Sequence, residues 1–176
     1  REAVNRSSHP RRDVVVVLQG DFSEPPEQIP ALIRRIEGGA DLVEAGVDTT
    51  PESAPRRHRW ARRALPWILR SAGVPDGVQD PVAGFRAYRV AVLKKALAER
   101  NGDPLLSRDG WAANVELLLA VAPHARRLAG AEAASYSPRR MRETRFRAWD
   151  TLVQVWGLRR QRGDPSPAIT SPDTAG

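Results

Sequence analysis

The chain has 176 residues, 41% of them hydrophobic and 28% charged, enough for one domain with a real core and with little room for two. Its 28 Lys and Arg against 21 Asp and Glu leave a net charge of +7; that balance favours phosphate-bearing partners, although an arginine-rich compositional bias accounts for part of it. The absence of cysteine excludes disulfides and thiolate metal sites, and no apolar run approaches the roughly 18 residues that a membrane span needs.

Residues 1–12 are polar and basic and read as a loop or frayed end. Val14 to Leu18 form a short β-branched run without alternation, the pattern of a strand buried on both faces in a parallel sheet. The run ends on Gly20-Asp21. Pro25 or Pro26 suits the first turn of a helix, with Ser23 as its cap and Glu24 and Glu27 at its positive end. Ile29, Leu32, Ile33 and Ile36 follow helical spacing until Gly38-Gly39 stops the element. "ADLVEAGV" reads as a second strand, and strand–helix–strand implies a right-handed crossover to a parallel neighbour.

Residues 48–58 are loop-like and run into the basic "RRHR" of 56–59. Trp60 to Ala72 reads as a helix kinked near Pro66, and "PDGVQDPVAG" as irregular chain. "FRAYRV" leads into a helix carrying Val92, Leu93, Ala96 and Leu97, which "NGDP" breaks. Trp111 to Val121 form the next helix, with Val115, Leu118 and Leu119 available to the core, and "ARRLAGAEAASY" is a further strand candidate. Phe146, Trp149, Leu152, Val153 and Trp156 mark an amphipathic helix; its flanking arginines suit a membrane surface, whereas its aromatic face suits the domain core. Residues 1–160 thus read as one α/β domain and 161–176, rich in Pro, Ser and Gly, as a disordered tail.

Ligands of α/β sheets bind beyond the carboxyl ends of the strands, where Asp21 falls. A carboxylate there can hold Mg²⁺ or Mn²⁺, or simply cap the next helix. The surrounding pattern carries a resemblance. "VVVVLQGDFSEPPEQIPALIRRIEGGADLVEAG" resembles the middle of family-2 glycosyltransferases of the polyprenyl-phosphate (dolichol-phosphate) mannosyltransferase type. There a hydrophobic strand ends in Asp-x-Asp, followed by "PPE", a helix and a "GAD-V-G" strand. Asp21, Pro25-Pro26-Glu27 and Gly39-Ala40-Asp41 stand at those positions. "DPVAGFRAYR" is similar to the family's D-x-x-S-G-F-R-x-Y/F-R, through Asp80, Gly84, Phe85, Arg86, Tyr88 and Arg89. "SYSPRRMRETRFRAWDTL" is similar to its Y-x-x-R-x-x-G-x-S-K/R-F ending, with Arg140, Thr144 and Arg145 on matching positions.

The resemblance implies a partial GT-A fold, with a mostly parallel central sheet flanked by helices, of which residues 1–160 would be the C-terminal two-thirds. It implies transfer of a hexose, mannose among the candidates, from a nucleotide-diphosphate sugar to a polyprenyl phosphate or related acceptor. Asp21 and Asp80 would be catalytic, and Arg86, Arg140, Thr144 and Arg145 would bind donor or acceptor phosphate. Asp21 and, weakly, Gln19 would ligate Mg²⁺ or Mn²⁺. Negative charge grows on the departing phosphate oxygen, and a cation or arginine fork stabilises it. A lipid phosphate acceptor is already anionic and needs no strong base, whereas a hydroxyl acceptor would need one of Asp80, Asp109 or Glu116. The expected location is cytoplasmic, with peripheral contact at the inner face of the membrane. No nucleic-acid partner is expected, because no reader motif occurs.

Two departures matter. Gln19 stands where the family has its first acid, and Ser23 where it has a Gln, so metal binding is weakened. A noncatalytic binding or regulatory module on the same fold is the alternative reading. The family's nucleotide-pocket segments, "P-x-Y/F-N-E" and "V-D-D-x-S", would precede Arg1, so the 176-residue chain alone is expected to show little or no binding of a GDP- or UDP-sugar. His9, His58 and His124 have no metal spacing.

Overall fold

The structure is a computed structural model that describes residues 1–20, 24–45, 74–75 and 77–131. The expectations placed on Asp21, Ser23, the helices at 60–72 and 146–160, Arg140, Thr144, Arg145 and the C-terminal tail lie outside the described residues.

Strands β1 (Val14–Val17), β2 (Leu42–Ala45), β3 (Arg86–Arg89) and β4 (Leu128–Ala131) form one sheet in the order β1-β3-β2-β4. This corrects the mostly parallel sheet expected from the sequence. β3 lies between β1 and β2 and is antiparallel to both, so that only β2 and β4 pair in parallel. β1 and β2 still run in the same direction, as a helical crossover requires, but they are not neighbours. Each strand is four residues long, and its slot is decided by distant pairing partners that local periodicity does not report. β1 is also half-buried rather than buried on both faces, because among the described strands it closes one end of the sheet.

The helix α1 (Glu2–Arg6) replaces the loop expected at the N-terminal end. Its exposed Glu2–Arg6 pair, 2.6 Å apart, contributes little. It is held instead by Val4, which enters the core, and by the Arg1 guanidinium, which donates to the carbonyls of Gly102 and Asp103. Pro26–Gln28 form a 3-10 turn, and helix α2 (Ile29–Glu37) begins only after it, not at Pro25 or Pro26. Pro30 explains the delay. An α-helix running through from Pro26 would set the Pro30 ring against the carbonyl four residues back, whereas in the first turn of α2 its missing N–H costs nothing.

The pleat divides the core cleanly. Val43, Ala45, Phe85 and Ala87 face α2, where Leu32 and Ile36 are fully buried. Leu42, Tyr88 and Leu128 face the other way, toward α3 (Val90–Glu99) and α4 (Gly110–Val121). Val115, Leu118 and Leu119 of α4 enter this second layer as their spacing predicts.

At the amino ends of β1 and β2 one arginine organises the backbone. Arg89 Nε donates to Asp41 Oδ1 at 3.1 Å, and its terminal nitrogens donate to the carbonyls of Arg11, Ile36 and Ala40. The second Asp41 oxygen accepts from the Arg126 N–H at 2.9 Å. The last Arg of "GFRAYR" and the Asp of "GAD" therefore meet in a structural clamp.

Candidate functional site

Because β3 runs against its neighbours, its first residue lies at the carboxyl ends of β1 and β2. Arg86 is registered with Val17 on one side and Glu44 on the other. The segment 79–85 that leads into it crosses the strand ends where sheets of this kind bind ligands.

Glu44 and Arg86 are both buried, Arg86 completely. Arg86 Nη2 lies 3.4 Å from Glu44 Oε1 and also donates to the Asp80 carbonyl. Glu44 accepts in addition from the backbone N–H groups of Gln79, at 2.9 Å, and Asp80, at 3.0 Å. Nε and Nη1 of Arg86 are buried, and among the described residues neither meets a hydrogen-bond partner within normal geometry. Asp80 is half-buried, and its Oδ1 accepts from the Val82 N–H at 3.2 Å.

Tyr88 sits one row inward on the same face. Burial raises its pKa above the usual 10.0, opposed by the positive charge of Arg86. The folded value being the higher one, this contribution to stability is complete below about pH 10 and is lost as pH rises through the folded value. Tyr88→Phe should therefore flatten the alkaline decline in the urea midpoint; an unchanged decline would assign it to other groups.

Beyond β1 the chain turns at Gln19 and Gly20. The Gln19 N–H donates to Glu24 Oε2 at 2.6 Å, which draws the start of the 3-10 turn back onto the strand end. The Gln19 side chain lies against Gly84: a β-carbon there would stand 3.3 Å from Gln19 Cγ and 3.1 Å from Asn114 Nδ2. Asn114 in turn donates to the Val82 carbonyl at 3.2 Å. Gly84 thus has a packing role where strand end, loop and α4 converge.

Of the residues singled out by sequence, Gln19, Asp80 and Arg86 are joined through this one loop. Glu116 is committed elsewhere. It is buried and accepts from Ser107 N–H and Oγ, both at 2.8 Å, and from Arg108 N–H at 3.0 Å, which removes it as a candidate base. Asp109 is exposed at the N-cap position of α4 and makes no side-chain cap bond. Among the described residues no group of three His, Cys, Asp or Glu could hold a metal ion. Gln19, a neutral amide, does not by itself make a site for a hard cation. Sequence reasoning missed Glu44, Glu24 as the partner of Gln19, and Asn114. Glu44 carried a signal: a carboxylate inside "LVEA", an otherwise apolar strand, requires a partner.

This geometry defines an α/β domain with a polar loop laid over its strand ends. No protein-family model matches the chain. It is similar to undecaprenyl-phosphate 4-deoxy-4-formamido-L-arabinose transferases. The relative from Pseudomonas paraeruginosa is 37% identical over 91 residues, 51% of this chain and 26% of its own length. Those from Pseudomonas syringae pv. syringae and Pseudomonas fluorescens are 33% identical over 133 residues and 34% over 135. These two matches cover 73% and 74% of this chain and 37% of each relative, so the chain spans little more than a third of the curated relatives it matches. The similarities support the glycosyltransferase family. The relatives' names carry an arabinose derivative and not mannose, so they do not support the mannosyltransferase type in particular. No helix among the described residues is long and apolar enough to cross a membrane.

Proposed function

We propose that this chain is part of a glycosyltransferase of the GT-A, family-2 kind that moves a sugar from a nucleotide sugar to a polyprenyl phosphate. The observation that supports this most is the similarity to undecaprenyl-phosphate sugar transferases over 133 to 135 residues, about three quarters of this chain. The acceptor brings its own negative charge, so the residues have mainly to orient it and to stabilise the departing diphosphate. Arg140 and Arg145 are the proposed phosphate contacts, with Thr144 donating from its hydroxyl. Arg86 is a further candidate for the same work, but its full burial means that the 79–82 loop must shift before a phosphate reaches it. Asp80 is the proposed carboxylate at the reacting centre, with Asp21 its partner from the β1 corner.

The donor follows from either of two likenesses: a hexose such as mannose from the motif resemblance, or a 4-deoxy-4-formamido-L-arabinose unit from the relatives' names. Incubating the longest natural product that contains this chain with labelled UDP- and GDP-sugars and undecaprenyl phosphate separates them by which label enters the lipid phase. Transfer from none of the donors would sink the catalytic reading and leave the binding-module alternative.

Gln19 is where that alternative has its support, since the resemblance leads one to expect an acid. A hard cation gains most from charged oxygen ligands. Gln19→Asp should therefore lower the Mn²⁺ concentration needed for half-maximal transfer by about tenfold, or roughly 1.4 kcal/mol. An unchanged Mn²⁺ dependence would mean that residue 19 does not face a metal.

A further inference from the structure

We propose that Glu44 is a positioning residue of this site: its carboxylate sets where the 79–82 loop lies across the strand ends, and with it Asp80. Three donors converge on this one side chain, the Arg86 guanidinium and the backbone N–H groups of Gln79 and Asp80. The two backbone bonds distinguish positioning from mere charge balance, because neither Gln79 nor Asp80 needs Glu44 to offset a charge through its amide. Glu44 itself is well fixed. β2 is paired on both sides, to β3 and to β4, so its backbone offers a rigid platform from which to hold a loop. The residue registered with Glu44 on β4 is Gly130, which places no side chain beside the carboxylate. Arg86 completes the grip from the opposite strand by holding the Asp80 carbonyl while Glu44 holds its N–H. The same peptide segment is thus fixed through both its donor and its acceptor. Four residues further on, Gly84 rests against Gln19, so displacing the loop would disturb both halves of the site.

The consequence for turnover rests on the proposed function, whereas the consequence for the loop does not. Amide hydrogen exchange on the intact chain tests the latter directly. In the wild-type protein the amides of Gln79 and Asp80 should exchange at least about 100-fold slower than in an unstructured chain. Glu44→Gln, which keeps the shape but loses the charge, should speed these two amides about tenfold while α2 and α4 stay within about twofold. If Glu44→Gln does not fold, Glu44→Gln/Arg86→Met and Glu44→Leu/Arg86→Met give the reading without a stranded buried charge: both lack the Arg86 grip on the Asp80 carbonyl, so faster exchange at 79 and 80 in the second than in the first belongs to residue 44. Free-chain exchange at 79 and 80 in the wild type would overturn the proposal, as would unchanged exchange in the folded variant. In the lipid-phase transfer assay Glu44→Gln should lower kcat about tenfold with the donor KM within about twofold. An unaltered kcat beside a loosened loop would overturn the link to the site. Absence of transfer in the wild type would count against the proposed function, and the exchange result would still decide the role of Glu44.

Discussion

Replacing Glu44 with alanine should destabilise the fold by about 3–5 kcal/mol, the cost of leaving a buried charge uncompensated. Arg86 is completely enclosed and would lose the carboxylate it faces across the strand pair. The N–H groups of Gln79 and Asp80 would lose their acceptor in the same step. Chemical denaturation would show the loss as a lower urea midpoint. The neutral pair Glu44→Leu/Arg86→Met should recover most of it, because a buried ion pair can be replaced by apolar groups of similar volume at small cost. Stability near wild type in Glu44→Ala would mean that water reaches Arg86 and that the row is not sealed as the structure has it.

The second large effect is expected at the opposite end of the sheet. Arg89→Met should cost about 2–4 kcal/mol, because it removes the shared donor of three backbone carbonyls together with the partner of Asp41. Arg89→Lys should recover little: an ammonium on a flexible stem cannot reproduce the planar fork that spans Arg11, Ile36, Ala40 and Asp41. Thermal or urea denaturation reads both variants. The substitution should leave the residual transfer activity of the folded fraction unchanged per molecule, since Arg89 lies at the amino ends of β1 and β2 and Arg86 at their carboxyl ends. A full rescue by lysine would show that charge alone matters there. Failure of lysine to rescue, with activity per folded molecule unchanged, would separate the two arginines of one short motif, three residues apart, into a clamp and a site residue.

Much of the framework was legible in the residues. The helical spacing from Ile29 to Ile36 and the apolar positions of α3 and α4 carry local periodicity, and the structure places them as that periodicity predicts; the β-branched run marked Val14–Val17 as a strand, though not its burial or its antiparallel partner. The strand order was not legible. "RAYR" shows neither strict alternation nor length, and only its pairing with Val14–Val17 on one side and Leu42–Glu44 on the other makes it a central strand. Pro25-Pro26 alone suggests a helix start that Pro30, four residues after Pro26, postpones to Ile29. In the site, the motif resemblance picked out Asp80, Gly84 and Arg86, which the fold does bring to the strand ends. It could not show that Arg86 is held by Glu44, a contact between positions 42 residues apart that leaves no local pattern. The conflict between an acidic residue and its apolar strand was the available signal.

Acceptor chemistry gives the most direct test of the central claim. The longest natural product containing this chain would be incubated with a labelled nucleotide sugar and either undecaprenyl phosphate or undecaprenol, and the label counted in the organic phase. Transfer to a polyprenyl phosphate predicts label on the phosphorylated lipid and none on the alcohol, because the site has to orient an acceptor that is already anionic. Equal labelling of undecaprenol, or no labelling of either lipid, would contradict it.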